Sequence, residues 1–504
     1  MIKMKRNTCI LILFMFLITN MRGSCYYNNL NEVSSTHIIT AGYQESVIAQ
    51  NQTEQNETAL RDKYNIDDYK YFVKNLGSSN EDWSDALDFV LESIKKNNSG
   101  GEINFTPNYT YGFSKCIDED NIQKISFLGG EGTILKKNSD FNSSNGIRLF
   151  NINYSSDLVL KNIKFIGISG SNNMNWDDTI LMDYDAYNVL IENCQFEDVA
   201  TALDIGSDYE KNSETICSNI SIQNCKFNNV GQCYTTHPGG AKNVTFRDNT
   251  ANNVQIMYKT SCRIKNEGHI EIYNNSVTNT QIGFDFVNTP NINCYNNTII
   301  NAKEYGIQTE TYDDSQGTEH EGISYDTYNW NINNNKFIDC NVFIKLTTDK
   351  NRTLDGVNII NNNFTNTTID GGDSIIIQSN VKNINIQNND FSNIKLKDNS
   401  IFYINSTYYR FISEDSDFGE ISNNIINNCT GKTFIYCCGN QETLKNLIVK
   451  NNSQNNGDLG LIINECEVIE NSSFINNKFD ATTNLLFIKG MLKGIYKNTI
   501  FKDN

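Results

Sequence analysis

Apolar and polar residues alternate along this chain in short stretches, and each stretch closes on an Asn-containing pair followed by one more apolar residue. The phrase reads Val189-Leu-Ile-Glu-Asn193-Cys194-Gln-Phe196, Ile220-Ser-Ile-Gln-Asn224-Cys225-Lys-Phe227, Ile270-Glu-Ile-Tyr-Asn274-Asn275, Val357-Asn-Ile-Ile-Asn-Asn362-Asn363-Phe364 and Ile384-Asn-Ile-Gln-Asn388-Asn389-Asp-Phe391. A period of two places the apolar side chains on one face of a strand. Recurrence about every 22 to 38 residues makes each copy one turn of a solenoid.

Between the Asn pairs lies a second apolar run, such as Ala202-Leu-Asp-Ile205, Ile282-Gly-Phe-Asp-Phe286, Val342-Phe-Ile-Lys-Leu346 or Ser374-Ile-Ile-Ile-Gln378, so each coil carries at least two strands and a tight turn. Helices have no place in that rhythm. Stacked coils pair their strands in parallel, pile apolar side chains into columns and bring each turn Asn against the Asn above and below. The predicted fold is all-β, a single-stranded parallel β-helix. Pairs at Asn193, Asn224, Asp248, Asn274, Asn296, Asn334, Asn362, Asn388, Asn423, Asn451 and Asn476 give about a dozen coils, and at about 4.8 Å per coil a rod about 60 Å long.

The exception comes early. Ser79-Ser-Asn-Glu-Asp-Trp83, followed by Ala86, Leu87, Val90, Leu91 and Ile94 and closed by Asn97-Asn-Ser-Gly-Gly101, predicts a capped amphipathic helix. A short strand, Glu102-Ile-Asn-Phe105, follows, then Tyr109-Thr-Tyr111, Ile125-Ser-Phe127-Leu-Gly-Gly130 and Thr133-Ile-Leu135. This opening resembles that of pectate-lyase-like right-handed β-helix proteins. The resemblance covers roughly residues 67–500 and implies a right-handed coil, expected over residues 67–504, whose first open end is plugged by the short N-terminal helix. It specifies architecture more than chemistry, because polysaccharide lyases, glycoside hydrolases, uronan epimerases, phage tailspikes and non-catalytic adhesins share it.

Residues 1–24, with Lys3, Lys5 and Arg6 ahead of an apolar stretch from Ile10 to Ile18 and then Gly23-Ser24, read as a signal peptide. Residues 25–66 are polar and aperiodic and read as a disordered lead. The expected location is secreted or cell-surface, hence extracellular, with no membrane span, since no stretch approaches 20 apolar residues. Cys25 offers a lipoprotein alternative. Loss of Lys3, Lys5, Arg6 and Arg22 with the leader takes the formal net charge from −18 to −22, which argues against nucleic acid as a partner. Of 14 Cys, Cys9 falls in the leader, and Cys194 and Cys225 share one slot of the repeat, so a buried thiol column competes with disulfides. Eighteen Asn-x-Ser/Thr sequons are compatible with a glycoprotein. Nothing in the pattern decides between monomer and trimer.

Outward residues flanked by inward apolar ones line up on the second strand: Asp183, Asp204, Tyr234 and Thr236 near His237, Met257 and Lys259, Asp285, Gln308 and Glu310, then Lys345. Asp204, Asp285 and Glu310 around Lys259 supply the parts for acid/base hydrolysis or for calcium-assisted uronate chemistry. In the lyase version calcium is the cofactor and Lys259 or Arg263 the base; no protein metal-ligand set stands out otherwise. A second pattern runs from Asp177-Asp178 through Asp204 and His237 to Arg263-Ile-Lys265 and resembles the motif order of polygalacturonase-type hydrolases. That resemblance implies acid/base work for Asp178 and Asp204, an orienting role for His237, and a uronate carboxylate held by Arg263 and Lys265. Trp176 stands where that motif has Thr, Asp204 is a lone Asp, and Pro238 follows His237. Trp176, Tyr258, Trp330 and Tyr312 are candidate platforms for sugar rings.

Two readings result. One is a carbohydrate-active enzyme, hydrolase or lyase, acting on a polysaccharide or cell-surface glycan along residues 177–345. The other is a non-catalytic cell-surface adhesin or matrix protein whose rod presents glycans or binds them.

Overall fold

The computed structural model describes residues 62–97, 100–141, 148–168, 178–182, 185–206, 217–236, 240–261, 268–311, 327–348, 353–369, 372–378, 381–397, 399–405, 417–438, 443–466, 468–479, 486–487 and 495–504. The expected leader and most of the polar lead lie outside these residues. The lead's last residues do not: Asp62–Asn65 is a strand paired in parallel with Gly101–Asn104, so these residues belong to the β-helix and not to the lead.

The chain winds into a right-handed parallel β-helix of about 11 turns. Among the described residues the strands fall into one sheet of 18 strands and one of 22, and neighbours within each are parallel. One coil shows the design. Tyr187–Glu192 lies in the first sheet; after a corner at Asn193, Gln195–Ile205 lies in the second and bends at Asp198. Each coil thus has three corners. Asn or Asp stands at nearly all of them in the left-handed region, at Asn193, Asn224 and Asn274 (φ 54–56°), at Asp198, Asn229 and Asn279 (φ 55–57°), and at Asn188, Asn219 and Asn243 (φ 52–57°). Asn and Asp visit this region at lower cost than other residues with a Cβ, which is why the chain is so rich in Asn. Gly356, at φ 72°, takes the same corner position between Asn329 and Asn383.

The residue after the first corner turns inward and builds the ladder that ties the coils together. The side-chain oxygen of each buried Asn accepts the backbone N–H of its counterpart one coil earlier: Asn249 from Cys225 (2.8 Å), Asn275 from Asn249 (3.0 Å), Asn297 from Asn275 (3.0 Å), Asn335 from Asn297 (2.9 Å) and Asn362 from Asn335 (2.9 Å). Asn389, Asn424, Asn452, Asn477 and Asn504 continue the run. Each Nδ2 donates in turn to a carbonyl of the preceding coil, as Asn362 does to Ile332 (2.9 Å). Cys194 and Cys225 occupy this slot in earlier coils as buried free thiols, the thiol-column alternative of the sequence reading. One corner differs from its expected position. Asn361, not Asn362, adopts the left-handed turn (φ 57°), and Asn362 is the ladder residue; three consecutive Asn had concealed a one-residue slip.

Apolar columns fill the interior. Phe165, Phe196 and Phe227 stack at 5.1 and 5.2 Å, and Phe337, Phe364 and Phe391 at 4.9 and 4.7 Å. Trp330 belongs to the core as well, in register with Ile292 and Val357 and donating its indole N–H to the Thr289 carbonyl (2.8 Å), so it offers no sugar platform. The helix forms as expected, at Ser84–Asn97, and buries Ala86, Leu87, Val90, Leu91 and Ile94. Asp82 caps it by accepting from the Ser84 N–H (3.1 Å). It sits so close to the first coil that a Cβ on Gly101 would lie 2.6 Å from Ile94 Cδ1.

The ladder and the corner make separable demands. Asn362→Ala leaves the Asn335 N–H and the Ile332 carbonyl buried without this partner and is expected to cost about 3 kcal/mol in urea unfolding. Asn361→Gly, one residue away, keeps the turn available and is expected to change stability by less than about 1 kcal/mol.

Candidate functional site

The segment that follows the bend at Asp198 and its counterparts, the third strand of each coil, carries an irregularity that creates the site. Ala202 and Leu203 both turn into the core, as do Met257 with Tyr258 and Phe343 with Ile344. The residues on either side of each inward pair therefore share the outer face and form two columns. One runs Asp178, Thr201, Gln232, Ile256, Ile282, Tyr305 and Val342. The other runs Leu181, Asp204, Thr235, then Lys259, Asp285, Gln308 and Lys345.

The second column contains Asp204, Lys259, Asp285, Gln308 and Lys345 of the row expected from the sequence, whereas Met257 of that row turns into the core. Thr235, not Tyr234 or Thr236, aligns with Asp204. Tyr234 is buried and donates its hydroxyl to the Ile205 carbonyl (3.2 Å). Tyr258 is corrected likewise: it is fully buried, stacked on Tyr234 at 4.9 Å, and cannot present a face to a sugar. Strict alternation fails where two successive side chains point inward.

At the N-terminal end of the face, the first column brings Asp178 diagonally beside Asp204. Both are almost fully buried, 1% and 4% exposed. Burial chiefly, then the neighbouring Asp204 charge, pushes the Asp178 carboxyl up to about 6, against the opposing pull of Arg148, the Thr201 hydroxyl and Lys137. Arg148 Nε lies 3.3 Å from Asp178 Oδ2, and Lys137, itself buried, donates Nζ to the Asp178 carbonyl oxygen at 2.9 Å. A desolvated acid, a second carboxylate and two flanking cations are the parts of a proton-transfer site.

Arg148, Lys137 and Thr201 were not singled out from the sequence. Lys137 left a signal: in Ile134-Leu-Lys-Lys137 it shares the inward parity of Leu135, an odd place for a lysine. Arg148 left none, because it reaches Asp178 from a neighbouring coil.

The rest of the polar row is spread out. Lys259 Nζ lies 3.8 Å from Asp285 Oδ2, and Lys345 Nζ lies 4.8 Å from the centre of the Tyr305 ring. Asp204 and Asp285 are three coil steps apart, about 14 Å, too far to share a calcium ion with ligand distances of about 2.3–2.6 Å. Among the described residues no group of three or more His, Cys, Asp or Glu is arranged to hold a metal. Calcium therefore does not fit the Asp204–Asp285 row. Glu310 extends its strand, in register with Val287 and Thr347. Trp176, Asp177, Asp183, His237, Arg263, Lys265 and Tyr312 lie outside the described residues.

No family model matches the chain, and no curated protein matches it. Solved structures do. A tailspike protein of E. coli bacteriophage HK620 aligns at 10% identity over 89% of this chain and 79% of its own, with a TM-score of 0.48. The Agl-KA catalytic domain aligns at 15% identity over 87% and 68%, TM-score 0.43. The A-module of a mannuronan C-5 epimerase from Azotobacter vinelandii aligns at 11% over 87% and 99%, TM-score 0.30. What defines the class of this chain is its own architecture, a right-handed parallel β-helix with one sheltered polar face.

The raised Asp178 carboxyl has a measurable signature. Its folded value, about 6, lies above the ordinary 3.8, so between those pH values the native state holds a proton that the unfolded chain releases. Stability contributed by this group is present below about pH 4 and is lost as pH rises through about 6, a penalty of about 3 kcal/mol at pH 7.5. Asp178→Asn is expected to stabilise the protein at pH 7.5 by that order and to have little effect near pH 4, measured by urea unfolding at both values.

Proposed function

We propose that this chain is an extracellular polysaccharide hydrolase that binds its substrate along the outer face of the third strands. The observation that carries the reading is the juxtaposition of Asp178, raised to about 6, with Asp204 on one sheltered face. A carboxyl that keeps its proton to higher pH than usual, beside a second carboxyl, is what acid-assisted glycosidic cleavage requires. Protonated Asp178 gives its proton to the glycosidic oxygen as the bond to the anomeric carbon breaks. The complementary role, taking a proton from the attacking water or attacking the anomeric carbon directly, falls to Asp204. Arg148 and the Thr201 hydroxyl keep the Asp178 carboxyl oriented, and Arg148 stabilises the carboxylate left after proton transfer. Lys259, Asp285, Gln308 and Lys345 continue the same column and supply hydrogen-bonding groups to further sugar units. Secretion is supported by the basic and apolar start of the chain. His237, Arg263 and Lys265 remain candidates for orienting the acid and holding a uronate.

Mass spectrometry of products from a panel of polysaccharides, including polygalacturonate and alginate, tests the reaction type. Oligosaccharides that have gained water are expected, with activity falling as pH rises through about 6 because the acid loses its proton. Asp178→Asn and Asp204→Asn should each lower turnover about 10²- to 10⁴-fold. Unsaturated product ends would instead make the chain a lyase, and retained binding without any product would favour the adhesin.

A further inference from the structure

The outer column that contains Asp204 does not end at Lys345. It continues through Ile376, Tyr403 and Tyr436. Tyr403 lies seven coil steps beyond Asp204, about 34 Å along the axis. These two tyrosines differ in kind from Tyr234 and Tyr258. They face out of the coil and are only half-buried, with ring centres 5.7 Å apart and planes tilted by 39°.

Polar groups surround the rings. Tyr436 donates its hydroxyl to Glu465 Oε2 (2.6 Å), and Asn405 Nδ2 donates to the Tyr403 hydroxyl (2.8 Å). Exposed Lys432 places Nζ 4.5 Å from the centre of the Tyr436 ring. Asp373, fixed by the Ser400 N–H and hydroxyl at 2.6 Å each, is close enough to interact with both Lys432 and Tyr403. A core needs none of this. Two aromatic rings held at fixed angles by hydrogen-bonded hydroxyls, with an amide, two carboxyls and an exposed ammonium around them, match both surfaces of a sugar: its C–H patch and its hydroxyls.

We propose that Tyr403 and Tyr436, with Lys432, Asn405, Glu465 and Asp373, form a second glycan-binding subsite that takes uncharged hexopyranose units. The preference for uncharged units follows from charge: one ammonium against two carboxyls leaves the patch net negative and repels uronates or sulfated sugars. A sugar ring on Tyr436 displaces the Lys432 ammonium from the ring face, and the ammonium then donates to a hydroxyl. Because a hexopyranose is about as long as the coil spacing of about 4.8 Å, a linear glycan lying along the axis reaches from this patch to the acid pair while keeping step with the coils. The subsite rests on the polysaccharide reading above, though not on the chain's being a hydrolase.

Titration calorimetry on the full chain carrying Asp204→Asn tests it, with maltohexaose, cellohexaose and laminarihexaose as probes and hexagalacturonate as the charged control. At least one neutral hexaose is expected to bind. Tyr403→Ala and Tyr436→Ala should each weaken that binding about tenfold or more. Tyr436→Phe, which keeps the ring, should weaken it less, and thermal melts of all variants should match the parent. Binding of a neutral hexaose that Tyr403→Ala and Tyr436→Ala leave unchanged would overturn the subsite and leave the acid pair standing. So would binding of the charged hexamer alone. Turnover that survives Asp178→Asn and Asp204→Asn would overturn the acid pair and leave the subsite standing. Failure of all three neutral probes to bind at up to about 10 mM would overturn the subsite.

Discussion

Everything in this molecule depends on keeping successive coils in register, and the buried Asn ladder enforces that register. Each ladder Asn accepts from the coil before it and donates to a carbonyl of that same coil, so a shift by one residue would strand buried polar groups at every step. The neighbouring corner residue serves the same end differently, by tolerating the left-handed conformation that lets the strand turn. With register fixed, any residue type placed at one position of the repeat becomes a column on the surface.

The polar face is such a column with irregular content. Because two adjacent residues per coil turn inward on the third strand, residues three apart in sequence become neighbours on the outside, as Thr201 and Asp204 do. That places Asp178 diagonally beside Asp204 and lets burial and mutual repulsion act on the pair together. The arrangement opposes stability at neutral pH, since the charged acid is held out of water, and it is retained next to Arg148 and Lys137, which offset part of the cost. Local frustration of this kind, within a scaffold whose other levels agree, is where function is usually found.

Much of the fold was legible because its periods are simple. Alternation marked the strands, spacing marked the coils, and the break in alternation at Ala86–Ile94 marked the helix. Two of the errors share one cause, which is that a one-residue ambiguity is invisible without neighbours. Three consecutive Asn hid which of Asn361 and Asn362 turns. The inward pair Met257–Tyr258 made a core tyrosine look like a surface one. Asp178 and Asp204 were legible as candidates through the motif order they resemble. Arg148 and Lys137, which set the environment of Asp178, come from other coils and carry no motif.

The account stands or falls on the electrostatic coupling of Asp178 with Asp204. A ¹³C-carboxyl NMR titration of aspartate in the wild-type protein and in Asp204→Asn reads it directly. The expected result is an apparent value near 6 for Asp178 in the wild type, falling when the Asp204 charge is removed. Titration of Asp178 at the ordinary 3.8 in both proteins would contradict the account, because two independent carboxylates of normal acidity cannot divide the roles of acid and base between them.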